Sequence, residues 1–177
     1  MKYIYILLLV FFSTAVCENV YAQSIKKHYI SKPQSTGTIY FIFPVELFKS
    51  ENDGELKYDI TYQGEQEDLA IINITYLQSE MVPADSIVIN YKDNNLISGK
   101  LTRIFAEPDK ETWTHRYTFK ADLKSLRKFY NVNNQPQITL FTRSKPFVTY
   151  NVIDKAWKNY ANIGRKIVDV ILINESE

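Results

Sequence analysis

The residues best suited to chemistry stand in two places in this 177-residue chain. The first is Trp113-Thr114-His115-Arg116-Tyr117, where alternation puts Trp113, His115, Tyr117 and Phe119 on one side of a strand. Flat rings there would stack on the apolar faces of sugars or lie along a peptide, with His115 as donor or acceptor. A buried sheet face produces the same alternation, and on that preferred reading His115 is a hydrogen-bonded histidine at the edge of the core.

The second place is a cationic window. Between residues 116 and 145, Arg116, Lys120, Lys124, Arg127, Lys128, Arg143 and Lys145 face one acid, Asp122. If a short helix and the hairpin after it lie together, Lys124, Arg127, Lys128, Arg143 and Lys145 form a patch for an anionic macromolecule: an acidic glycan, a lipid headgroup or an envelope protein. The competing reading is a solvated face that pairs with acids elsewhere, since exposed ion pairs contribute only ~0–1 kcal/mol.

Recognisable catalytic patterns are scarce. Glu46, Asp59, Glu65, Glu67, Asp68 and Asp85 are the candidates for a glycosidase pair, which needs two carboxyl groups roughly 5–10 Å apart. Most of them fall in or beside turns, where acids are ordinarily just solvated. The chain contains no Gly-x-Ser-x-Gly, phosphate loop, Gly-x-Gly-x-x-Gly or His-Glu-x-x-His. His28 and His115, with the lone cysteine at position 17, make no zinc ligand set, so neither metal nor cofactor is expected. Tyr58, Tyr62, Tyr76 and Tyr91 would either line a cavity for an apolar ligand or fill an ordinary core, and the core reading is preferred.

A composition that is 45% hydrophobic and 14% aromatic excludes disorder. The formal net charge of +1 gives no footprint for nucleic acid. The charge is nevertheless divided: residues 23–99 carry 6 Lys and Arg against 11 Asp and Glu, whereas residues 100–177 carry 14 against 8.

The first 22 residues read as a secretory signal peptide: Met1-Lys2, an apolar run from Tyr3 to Phe12, and Val20-Tyr21-Ala22 before Gln23. The apolar run is about half of the ~20 residues that a spanning helix needs, so no membrane anchor is expected in the mature chain. Cys17 is a second candidate for processing, by lipidation, but Val16 and Thr14 stand where a lipobox favours a small residue and Leu. With cleavage after Ala22 the mature chain has no cysteine, and packing alone must hold it. That combination suggests an exported protein of a Gram-negative bacterium, in the periplasm, on the cell surface or secreted.

Residues 23–37 form a polar lead-in arm, and 38–177 one α+β domain. Ile39, Phe41, Phe43, Val45 and Leu47 share one face of a long strand. Leu56, Tyr58, Ile60 and Tyr62 alternate with Lys57, Asp59, Thr61 and Gln63 after the Asp53-Gly54 turn. Strands over 71–77, 86–91, 100–106, 112–120, 137–143 and 147–152 complete a mostly antiparallel sheet of about seven or eight strands, read as a meander. Asp122 caps a short helix near 122–131, and a long amphipathic helix from Asp154 packs on the sheet with Ala156, Trp157, Tyr160, Ile163, Gly164, Ile167, Val168 and Ile171 on its stripe. The rival is a helix ending at Gly164 and a final strand over 167–173. The function expected is that of a non-enzymatic binding or accessory module. The alternatives are a small glycan- or peptide-acting hydrolase and a carrier of an apolar ligand.

Overall fold

The computed structural model describes residues 25–52, 54–64, 69–92 and 95–174, with the side chains of residues 95 and 96 left aside. The expected leader over 1–22, Cys17, Asp53, the acids Glu65, Glu67 and Asp68, and the Asp93-Asn94 turn lie outside them. The described chain is α+β and mostly antiparallel, with ten strands rather than seven or eight. They are β1 (Tyr29–Gln34), β2 (Gly37–Ser50), β3 (Glu55–Gln63), β4 (Leu69–Gln78), β5 (Ser86–Lys92), β6 (Asn95–Lys100), β7 (Thr102–Asp109), β8 (Thr112–Asp122), β9 (Gln137–Thr142) and β10 (Lys145–Val152). Helix α1 (Leu123–Phe129) follows β8, and helix α2 (Asp154–Asn174) closes the described chain.

Residues 29–34 of the stretch read as a lead-in arm are strand β1, which pairs with residues 37–42 of β2 across a turn whose Gly37 has φ 87°. Pro33 and a mostly exposed surface suit β1 to an edge, where one backbone side needs no partner. Because β3 takes the opposite side of β2, β1 lies along the edge that β10 occupies farther on, at Phe48–Ser50.

The sheet is not a simple meander. Its strand order is β6-β5-β9-β10-β2-β3-β4-β8-β7, so β5 lies beside β9 instead of beside β4, with β6 on its far side. The stretch expected to be one strand over 100–106 breaks at buried Leu101, whose N–H donates to the Asp85 carbonyl at 2.8 Å. That break takes the chain from one end of the sheet, β6, directly to the other, β7, so the sheet coils back on itself. Gly99 marks the approach: a β-carbon there would sit 3.3 Å from Phe119 Cδ2 on β8.

The inner face follows the alternation of β3, with Leu56, Tyr58, Ile60 and Tyr62 all buried. On β2 the expected face is the outer one at its first half. Tyr40 and Ile42 are buried while Phe41 and Phe43 are each 38% exposed, and a bulge at Phe43-Pro44 opposite Asp59 shifts the register before Leu47 and Phe48 turn inward. Helix α2 covers the inner face as one uninterrupted helix of 21 residues, about 31 Å at 1.5 Å per residue. On its expected stripe Trp157, Tyr160, Gly164, Ile167, Val168 and Ile171 are buried, and Ala156 and Ile163 are partly buried against the core.

Helix α1 joins the two layers. Asp122 caps it as expected, Oδ1 accepting from Ser125 N at 2.7 Å. Phe129 and Tyr130 at its end meet Trp157 with ring centroids 5.0 and 6.0 Å apart, and the Tyr58 and Tyr130 hydroxyls lie 3.0 Å apart. This pins the residues after α1 in place.

Candidate functional site

Cations from three separate segments converge on one pocket. Lys92 ends β5, Arg127 and Lys128 occupy the last turn of α1, and Arg165 projects from the middle of α2. Together with Tyr91, Asn131 and Asn134 they line a pocket of about 270 Å³. All four cationic side chains are exposed, whereas Tyr91 and Asn134 are buried in the wall. One sign of charge in a concavity focuses potential and raises the local concentration of anions.

Local chemistry keeps that wall receptive. The last carbonyls of a helix carry partial negative charge and would repel an anion. Here the amide of Asn134 donates to the carbonyls of Lys128 and Phe129 at 2.9 and 2.8 Å, so both are already engaged. Trp157 Nε1 donates to the Asn131 carbonyl at 3.0 Å. Arg127 Nε pairs with Asp169 Oδ1, which holds its guanidinium beside the rim. Burial, and then the Asp122 carboxylate, push the Tyr91 phenol up, so it is protonated at neutral pH.

The other expected site residues fall elsewhere. Lys124 lies in a neighbouring hollow with Arg127, Lys128, Asp169, Leu172 and Ile173. Arg143 and Lys145 do not join Lys124, Arg127 and Lys128. Arg143 lies in the β9–β10 turn and Lys145 opens β10, one six-residue strand away from Gln137 at the pocket end of β9, a separation of about 17–20 Å. Arg116 is likewise separate: it bonds Asp59 Oδ2 and Thr75 Oγ1, each at 2.7 Å, on the outer face of the sheet.

Trp113 is half-buried at the start of β8, and His115 and Tyr117 belong to the core rather than to an exposed platform. His115 is 0% exposed, stacked on Tyr76 at 5.0 Å with a 7° interplanar angle. It is not the hydrogen-bonded histidine expected, for neither ring nitrogen has a partner among the described residues. Burial dominates its lowered pKa; the Glu80 backbone pulls the other way without reaching hydrogen-bond geometry, and Arg103 adds to the lowering. Tyr117 accepts from Ala84 N at 3.0 Å.

The described candidate acids are each engaged: Glu46 with Lys57, Asp59 with Arg116 and Asn73, Asp85 with Arg143 N and Ser86. Tyr58, Tyr62 and Tyr76 are buried within the core cluster. Among the described residues no helix is long and apolar enough to cross a membrane, and no group of three or more His, Cys, Asp or Glu side chains is placed to hold a metal ion.

Sequence reasoning missed Lys92 and Arg165 as site residues. Each is one cation in an ordinary context, and only the sheet order, which lays β5 beside β9 near the end of α1, brings them to Arg127 and Lys128. No protein-family model, curated protein or solved structure matches this chain.

Proposed function

We propose that this chain is an exported, non-enzymatic binding module that holds an anionic partner in the pocket of Lys92, Arg127, Lys128 and Arg165. The observation that carries the proposal is their convergence from β5, α1 and α2 on one concave wall. Four like charges gathered there repel one another, and among the described residues only Arg127 has a carboxylate across it, in Asp169. An anion in the pocket relieves that repulsion.

Retention on immobilised heparin, a generic polyanion, tests this reading. Lys92, Lys128 and Arg165 changed together to Gln should bring elution to clearly lower salt. An equal change of net charge at exposed Lys100, Lys145 and Lys155 should leave elution close to that of the unaltered protein. If both triple variants weaken retention alike, overall charge accounts for it and the pocket is no site.

A further inference from the structure

The cationic pocket opens into a second, larger cleft of about 660 Å³, and the two share Tyr91, Lys92, Asn131 and Asn134 as common walls. The rest of the larger cleft is lined by Asn90, Asn133, Gln135 and Gln137. Six amide side chains thus stand beside a cluster of cations. Its volume falls within the roughly 300–1,000 Å³ typical of sites that enclose small organic ligands.

The two linings call for different chemistry. A carboxylate, sulfate or phosphate only accepts hydrogen bonds, so cations alone suffice for it. An amide presents an acceptor oxygen and two N–H donors, which is the complement of a hydroxyl group. Several of these amides are held in fixed orientation. Asn131 Oδ1 accepts from Asn133 N at 3.0 Å, so its nitrogen is the end left to donate. Asn134 uses its nitrogen on the two carbonyls at the end of α1, so its oxygen is the end left to accept. Gln137 Nε2 donates to Asn151 Oδ1 at 2.8 Å. Asn90, Asn133 and Gln135 make no side-chain hydrogen bond among the described residues and are exposed. Donors and acceptors therefore lie side by side along a cleft that ends in positive charge.

A polyhydroxylated chain that carries acidic groups fits both halves. A nucleic-acid strand does not, because it needs exposed rings for its bases, and the Tyr91 ring is buried edge-on against Phe129 at 6.0 Å. A lipid would need apolar walls continuous with the charge. Leu172 and Ile173 do stand near the charge, in a hollow that shares Arg127 and Lys128 with the pocket, but the Asp169 carboxylate stands among them and the amide-lined cleft would be left without a use. Building on the anion-binding reading above, we infer that the continuous groove binds an acidic oligosaccharide, its hydroxyls on the amides and its carboxylate or sulfate among Lys92, Lys128 and Arg165.

Calorimetric titration of the intact protein separates this inference from the reading beneath it. The probes are a tetrasaccharide of galacturonate, a sulfated heparin tetrasaccharide, a neutral tetrasaccharide of galactose, monomeric galacturonate and vesicles of phosphatidylglycerol. At least one acidic tetrasaccharide should bind about tenfold or more tighter than both the neutral tetrasaccharide and the monomer. Replacing Asn133 and Gln135 by Ala should weaken that binding about fivefold for each hydrogen bond lost, with monomer binding and the thermal midpoint unchanged. Lys92→Gln with Arg165→Gln should weaken monomer and tetramer together. If the acidic tetrasaccharides bind no better than the monomer, or the amide variant binds them as before, the oligosaccharide inference fails while anion binding stands. Binding to the vesicles without binding to either acidic tetrasaccharide would also overturn it, in favour of a lipid. If no anionic probe binds, both fall.

Discussion

The Tyr130 ring lies directly against the α2 backbone at Gly164, where a β-carbon would come within 2.6 Å of ring carbon Cε1. Gly164 is a helix interior residue without positive φ, so it is a contact surface rather than a terminator. Gly164→Ala gains up to about 1 kcal/mol of helix propensity yet forces ring or helix to move, which costs about 1–3 kcal/mol. Tyr130 has little freedom to give way, being stacked on Trp157 and bonded to the Tyr58 hydroxyl. A net loss of stability is expected by urea denaturation, and Tyr130→Leu should suppress much of it in a double-mutant cycle. An Ala variant as stable as the original would show that the ring can shift freely.

The rival reading of Gly164 as a helix end failed because the same residue type serves caps and close contacts, and only the partner ring distinguishes them. Other differences between sequence and structure have similar causes. Alternation placed the β3 face correctly, since Lys57, Asp59, Thr61 and Gln63 leave the outer side polar. On β2 both faces are apolar: Ile30, Phe41 and Ile71 stand outside in register across β1, β2 and β4, separated only by Thr61. Period alone then cannot choose a side; pairing and the bulge do. Half of the basic cluster was legible because Arg127 and Lys128 are sequence neighbours on one helix turn. Arg143 and Lys145 were grouped with them by position along the chain, which an intervening strand makes irrelevant in space.

His115 should make the protein sensitive to acid. Its folded pKa lies below the ordinary value of 6.5, so the unfolded chain binds the proton more readily. Stability is then unaffected above about pH 6.5 and falls as pH drops below it, by up to about 1.4 kcal/mol per pH unit until the folded pKa is reached. His28, lowered by burial and then by Lys27, acts in the same direction. His115→Phe keeps a ring against Tyr76 and Tyr117 and removes the proton site. Its stability, measured by denaturant titration between pH 7 and pH 5, should decline less steeply than that of the unaltered protein. Parallel declines would mean that His115 does not titrate in this range.

The β9–β10 turn carries an improvable local conflict. Arg143 and Ser144 both have positive φ, 50° and 63°, between the paired residues Thr142 and Lys145. A two-residue hairpin loop of this kind favours Asn-Gly, because other side chains crowd the backbone in that region. Asp85 compensates by accepting from Arg143 N. Arg143→Asn with Ser144→Gly should therefore stabilise the protein by about 0.5–2 kcal/mol, seen as a higher thermal midpoint. Asp85→Ala should lower it, and lower it less in the Asn-Gly background. A destabilised Asn-Gly variant would indicate that the Arg143 or Ser144 side chain holds this hairpin in some other way.

Asn134 connects stability with the pocket, and its two roles come apart on mutation. Its nitrogen satisfies two carbonyls at the end of α1 while its side chain forms part of the shared wall. Leaving buried acceptors unpaired costs about 1–3 kcal/mol, so Asn134→Leu should be clearly destabilised in urea. Asn134→Asp is the sharper probe. It keeps the shape but replaces the donor by a carboxylate facing those carbonyls and the pocket cations. Stability should fall as with Leu, while retention on heparin should drop further than with Leu, because the new charge opposes an anion. Equal retention by the two variants would place the anion out of reach of Asn134, confining it to the rim formed by Lys128 and Arg165.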